Sequence, residues 1–145
     1  MIRMNPRPLQ MRTMARACVA VLVLGLNSTL AFAAEDPVAG QRDFAVRCAS
    51  CHGTTAGEKK TGPTLAGVFG QASGNVAGFR YSPALKKAHL TWDGATLDKW
   101  LRNPSGLVHG TTMFVSVPSS TDRQNLIAYL KTLSADAKAS AGAGK

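Results

Sequence analysis

An all-α fold is predicted, with three main helices, one or two short ones and long connecting loops. Three observations predict it. Alternation of apolar and polar residues at the strand period is nearly absent. Helix-starting residues precede apolar residues at helical spacing near the start, the middle and the end of the chain that follows residue 33. Between the first two such segments lies a stretch with glycine at 53, 57, 62, 67, 70, 74 and 78, punctuation that interrupts helices and strands alike.

The elements follow in order. Asp36-Pro37 opens a helix, with Asp as N-cap and Pro in the first turn. This helix is expected to run to about Ala49, with Phe44 on its apolar side. Gly40 inside it costs about 1 kcal/mol against Ala, so a close crossing by another helix is expected there. Residues 53–79 are expected to be loop, a length that fits a compact domain when backbone wraps a bound group. Ser82-Pro83 starts a short helix to about Ala88. Asp93 or Thr91 caps another from Gly94 to Arg102, which stops before Pro104. Its apolar side carries Leu97, Trp100 and Leu101, with Trp92 just ahead. Ser119 and Asp122 are spaced as a capping box, and Leu126, Leu130 and Leu133 then recur with the helical period. From Ala135 to Lys145 the composition reads as a flexible tail. There is no internal repeat.

Residues 1–33 read as a cleaved secretory signal peptide. Arg3, Arg7, Arg12 and Arg16 precede an apolar run beginning at Cys18, and Ala31-Phe32-Ala33 supplies small residues for cleavage. The run is short for a membrane span of about 20 residues. Removing residues 1–33 from 145 leaves 112 residues, the size of one small domain, with residues 34–134 as its folded part. Four of the 17 basic residues leave with the signal, so 13 face 8 acids and the net charge falls from +9 to about +5. That charge favours acidic partners. No Lys/Arg run or basic aromatic motif points to nucleic acid.

Cys48-Ala49-Ser50-Cys51-His52 carries the chemistry. C-x-x-C-H is the covalent attachment signature of a c-type haem. Each thiol adds to one haem vinyl group, and the adjacent His52 can ligate the iron. A structural zinc site would need four ligands. The third cysteine, Cys18, lies in the segment expected to be removed, and His89 and His109 lack pair spacing. A thioredoxin-type pair would need a βαβ context. One haem c, held through Cys48 and Cys51, is therefore expected. Thioether formation outside the bacterial cytoplasm fits export, and the expected location is the periplasm.

Further stretches occur in order: Thr61-Gly62-Pro63-Thr64-Leu65, Gly67-Val68-Phe69-Gly70, Gly78-Phe79-Arg80-Tyr81, Thr91-Trp92, Asn103-Pro104, Gly110-Thr111-Thr112-Met113 and Asp122-Arg123 leading into Leu126-Ile127-Ala128-Tyr129-Leu130-Lys131. With the haem motif, this series resembles class I cytochromes c, in the mitochondrial-type branch with its periplasmic bacterial relatives. The resemblance covers nearly all of residues 36–133. It implies the cytochrome c fold around one covalent haem and a one-electron carrier, not an enzyme.

The resemblance also implies residue roles. His52 is the proximal axial ligand, and the Pro63 carbonyl holds its other ring nitrogen. Met113 is the sixth ligand through sulfur, and a His/Met pair raises the reduction potential. Tyr81 and Trp92 donate hydrogen bonds to a haem propionate. Gly40 and Phe44 pack against Leu126 and Tyr129. For Met113 the competing role is core filling, although it is the one Met after the signal segment. His89 and His109 are competing ligands.

Departures from the family pattern are informative. Trp100 stands where a Tyr is usual near the Met ligand; it can pack on the haem, but a phenolic hydrogen bond to sulfur is lost or changed. Gln71 stands where Arg often sits beside the propionates. Ser105, Gly106 and Thr112 replace lysines around the haem edge, leaving Lys59, Lys60, Lys86, Lys87, Lys99 and Arg102 as another basic surface. Expected partners are a quinol-oxidising complex or a dehydrogenase on one side and a terminal oxidase or reductase on the other. No stable membrane anchor is expected, and nothing demands a dimer. Two alternatives remain: a dedicated electron-transfer subunit of one periplasmic enzyme, and a gas-binding haem protein.

Overall fold

The computed structural model describes residues 35–142. The expected signal peptide lies outside the described residues. Five helices follow one another: α1 (Pro37–Arg47), α2 (Pro83–Lys87), α3 (Gly94–Arg102), α4 (Pro104–Leu107) and α5 (Ser120–Gly142). Among the described residues there is no strand, only an isolated antiparallel bridge between Ala72 and Thr91. No described helix is long and apolar enough to cross a membrane.

Caps set the helix starts. Asp36 accepts from the backbone N–H of Val38 at 2.8 Å and of Ala39 at 3.1 Å, with Pro37 in the first turn. Ser82 caps α2 through the Leu85 N–H, 3.2 Å. Of the two candidates for α3, Asp93 is the cap, accepting from Thr96 N–H at 2.7 Å. At α5, Ser119 Oγ accepts from Asp122 N–H at 3.2 Å. The return bond of a capping box is replaced by the Ser119 hydroxyl donating to the Asp122 carboxylate, 3.0 Å. Asn103 ends α3 and caps α4 by accepting from Gly106 N–H at 3.0 Å.

Helices α1 and α5 cross, and the crossing is close because Gly40 has no side chain. A Cβ at Gly40 would overlap the Asn125 carbonyl and lie 3.0 Å from Leu126 N. The Phe44 and Tyr129 rings meet beside it, 5.4 Å between centroids. Lys131 reaches back to Glu35 at 2.7 Å. The core runs from Phe44 through Leu85, Trp92, Leu97, Trp100 and Leu101 to Leu126 and Leu130.

A buried arginine ties α3 to α5. Arg123 is 4% exposed. Its Nε donates to Asp98 at 2.6 Å and Nη1 donates to the Val117 and Pro118 carbonyls at 2.9 and 2.7 Å. Asp98 also accepts from Arg102. Burial works to raise the Asp98 pKa, but the bonds from Arg123 and Arg102 outweigh it and hold the carboxyl below its ordinary value.

The chain stays helical through 135–142, where composition alone suggests a tail. Alternating Ala is the best helix former, and the extension passes the Gly67 turn, where a Cβ would stand 3.5 Å from that of Ala137. Ser134, buried, accepts from Phe69 N–H at 2.9 Å and donates to the Leu130 carbonyl.

Candidate haem site

The attachment sequence is a tight turn growing out of α1. Cys48 N–H and Ala49 N–H both donate to the Phe44 carbonyl, and the Cys48 carbonyl accepts from Cys51 N–H at 3.0 Å and His52 N–H at 2.9 Å. This curl puts the two cysteines and the histidine on one short arc. Both thiols are free of any disulfide. Burial pushes the Cys48 thiol up to about 11; Arg47 opposes this, while Asp43 and Cys51 add to it.

Backbone bonds bring the following loop against His52. Gly62 N–H donates to the Cys51 carbonyl at 2.7 Å and Leu65 N–H to the Gly53 carbonyl at 2.9 Å. The Pro63 carbonyl then stands 2.8 Å from His52 Nδ1. A carbonyl can only accept, so Nδ1 carries the proton and Nε2 keeps a free lone pair. Burial lowers the His52 pKa, the Pro63 bond works against that, and the Lys60 charge adds to the lowering. The ring is thus neutral at physiological pH, the form that ligates metal. Gly62 makes room for it: a Cβ there would lie 2.6 Å from His52 Cε1.

One feature of this turn was not readable from sequence. Lys60 Nζ donates to the Ala49 carbonyl at 2.9 Å and the His52 carbonyl at 3.5 Å, while pairing with Glu58 at 3.2 Å. Glu58 also accepts from the N–H groups of Thr54 and Thr55. Lys60 and Arg102, assigned above to a basic docking surface, are therefore both engaged in ion pairs.

On the other side, exposure alternates along residues 111–117, with Thr112, Phe114 and Ser116 exposed, Thr111, Met113 and Val115 less so, and Val117 buried. Val117 N–H donates to the Leu101 carbonyl at 2.7 Å. The register turns Met113 inward and leaves Phe114 87% exposed. Trp100 Nε1–H donates to Met113 Sδ at 3.1 Å. The substitution of Trp for the usual Tyr therefore changes the bond to sulfur without losing it.

These parts line one cavity of about 790 Å³, bordered by Cys48, Cys51, His52, Pro63, Tyr81, Trp92, Trp100 and Met113. All eight predicted site residues are brought together. Cofactor pockets run from roughly 300 to 1,000 Å³. The rest of the wall is largely apolar, including Phe44, Leu65, Val68, Leu97, Leu101 and Leu126. The Tyr81 hydroxyl oxygen accepts from Val76 N–H at 3.3 Å, so its own proton is available to a further acceptor. Trp92 meets Trp100 edge-on, 5.1 Å between centroids. Gln71 and Asn75, hydrogen-bonded to each other, also border the cavity. His89 and His109 are exposed and do not border it. Two thiols at the rim, a neutral imidazole with one free nitrogen, a thioether and an apolar wall fit a haem.

A family profile described as cytochrome c matches residues 37–134. The chain belongs to the cytochrome c family. Cytochrome c of Euglena viridis is 42% identical over 99 residues, spanning 68% of this chain and 97% of its own. Cytochrome c2 of Rhodomicrobium vannielii is 46% identical over 108 residues, spanning 72% and 85%. The solved structure of cytochrome cH from Methylobacterium extorquens aligns with a TM-score of 0.62 at 42% identity, covering 67% of this chain and 98% of that one. As a cytochrome c, the protein carries one covalent haem c through Cys48 and Cys51. It is an electron carrier and not an enzyme.

Proposed function

We propose that this cytochrome c is a diffusible periplasmic carrier whose haem is ligated by His52 and Met113. The observation that supports the ligation is that a single cavity has both the Pro63-anchored imidazole and the Met113 thioether in its wall. When bound, the haem supplies a reversible one-electron couple. The chain does the rest. Cys48 and Cys51 hold the group by thioethers. His52 presents Nε2 in a fixed tautomer, and Met113 offers a soft sulfur that favours the ferrous state. Tyr81 and Trp92 direct O–H and N–H groups to a propionate. The buried apolar wall excludes water, which also bears on the potential. Two protein ligands leave no open position for substrate, an arrangement suited to moving an electron with little rearrangement. Residues 1–33 act as the export signal. The electron comes from a quinol-oxidising complex or a dehydrogenase and leaves to a terminal oxidase or reductase.

An optical redox titration of the purified holoprotein tests this reading. Reversible one-electron reduction is expected, with the weak near-infrared thioether-to-ferric band present in the oxidised form. Irreversible reduction, or a potential far below the quinone range, would contradict it.

A second reading has one observation in its favour. Phe114 is 87% exposed and borders the cavity beside Met113, as an apolar contact in a permanent subunit would be. Size-exclusion of native periplasmic extract discriminates: a carrier elutes alone, a dedicated subunit with its enzyme.

A further inference from the structure

Lys60 and Glu58 face each other at 3.2 Å, each side chain 34% exposed. A surface ion pair contributes little by itself. This one differs because each end also binds backbone around the attachment turn. The Cys48, Cys51 and Gly53 carbonyls accept backbone N–H groups. The Ala49 and His52 carbonyls do not; both accept instead from the Lys60 ammonium, at 2.9 and 3.5 Å. Glu58 serves the next stretch, its Oε2 accepting from Thr54 N–H at 3.1 Å and Thr55 N–H at 3.3 Å. The Lys60 bond first, and then the Thr55 N–H, hold its carboxyl below the ordinary value, so it is charged at neutral pH. Gly53 lies buried between the two ends, where a Cβ would overlap the Glu58 carboxylate. The arrangement has one sense. Carbonyls need a donor and N–H groups an acceptor, so the cation must serve residues 49 and 52 and the anion residues 54 and 55.

We propose that the Lys60–Glu58 pair is a positioning clasp for His52, fixing the main chain on both sides of the imidazole, a role that rests on His52 being the proximal ligand. The Pro63 carbonyl orients the ring through Nδ1, but the ring moves with the backbone that carries it. Lys60 holds the carbonyl of His52 itself and the one three residues earlier. Glu58 holds the two N–H groups that follow Gly53. Between them the ligand's own residue is pinned from before and after. Lys60 therefore acts on this turn, and not as a docking charge.

The test uses the sense of the clasp. In the full-length holoprotein, Lys60→Met keeps an apolar stem and removes the donors. A double variant, Glu58→Lys with Lys60→Glu, keeps the ion pair and the net charge but sets a carboxylate against carbonyls and an ammonium against N–H groups. The readouts are the hyperfine-shifted His52 ring resonances of the ferric protein and the exchange rate of the His52 amide hydrogen, which bonds to the Cys48 carbonyl. Both variants are expected to shift the resonances and to speed exchange about three- to thirtyfold, the range of a hydrogen bond from a charged group reduced by partial exposure. Wild-type resonances and exchange in the double variant, or in Lys60→Met, would overturn the clasp while leaving His52 as ligand. A wild type without hyperfine-shifted imidazole resonances would overturn the ligation itself, and the clasp with it.

Discussion

Gly40→Ala tests the geometry on which the cavity depends. In an exposed helix this change stabilises by about 1 kcal/mol, because Ala is the better helix former. In α1 the added methyl would run into the Asn125 carbonyl and come within 3.0 Å of Leu126 N. Both obstacles are backbone of α5, so no rotamer change relieves them. The helices must separate, loosening the Phe44–Tyr129 contact. Overpacking typically costs about 1–3 kcal/mol, and a backbone obstacle puts this site at the upper end. After the propensity gain, the net loss is about 2 kcal/mol. For a domain of this size that is a fall in Tm of roughly 8–16 °C. The assay is reversible thermal unfolding of the holoprotein, followed by circular dichroism. Gly94→Ala is the matched control, since a Cβ at Gly94 in α3 meets nothing within 4 Å. It is expected to be neutral or stabilising by up to about 1 kcal/mol. Equal behaviour of the two variants would refute the close crossing.

Three further outcomes follow from the site and its supports. Gly62→Ala pushes a methyl to within 2.6 Å of His52 Cε1; it should break the Pro63 bond and destabilise the holoprotein by about 1–3 kcal/mol, and an unchanged melting curve and visible spectrum would contradict this. Asp98→Asn removes the anionic partner of the buried Arg123; because Asp98 is itself partly exposed, a loss of about 1–3 kcal/mol in denaturant unfolding is expected, less than for a fully buried pair. The sign with pH is fixed by the lowered Asp98 pKa: its contribution is present above the ordinary carboxylate pKa of about 4 and is lost as pH falls through the lower folded value, so the acid limb of the stability curve should flatten in Asp98→Asn and would be unaltered if the pair carries nothing.

Much of this architecture could be read from residues because local chemistry and tertiary demand agree. Asp36, Ser82 and Asp93 each start the helix that their short polar side chains favour. Gly40 was readable as a crossing because nothing in α1 itself explains a glycine. The motif residues converge on one cavity because the C-x-x-C-H turn and the Pro63 loop are tied by bonds between neighbouring stretches of backbone.

What escaped the sequence depends on distant or competing contacts. Helix α4 is a single turn, created by Asn103 capping just after it ends α3. The extension of α5 past Ser134 was hidden because Ala, Ser and Gly suit a tail as well as a helix. Arg123 carries no mark in sequence of its burial under Asp98, and Lys60 reads as a surface charge until its hold on the Ala49 carbonyl is seen. Trp100 showed that a phenolic donor was missing. Only the fold shows an indole N–H aimed at the same sulfur.

The central claim is closure of one cavity by an imidazole and a thioether, and Met113→Ala tests it most directly. The ferric near-infrared spectrum of this variant, recorded with and without added imidazole, should lack the thioether band of the wild type and should show imidazole binding far more tightly. Identical spectra and equal imidazole affinity in variant and wild type would contradict it.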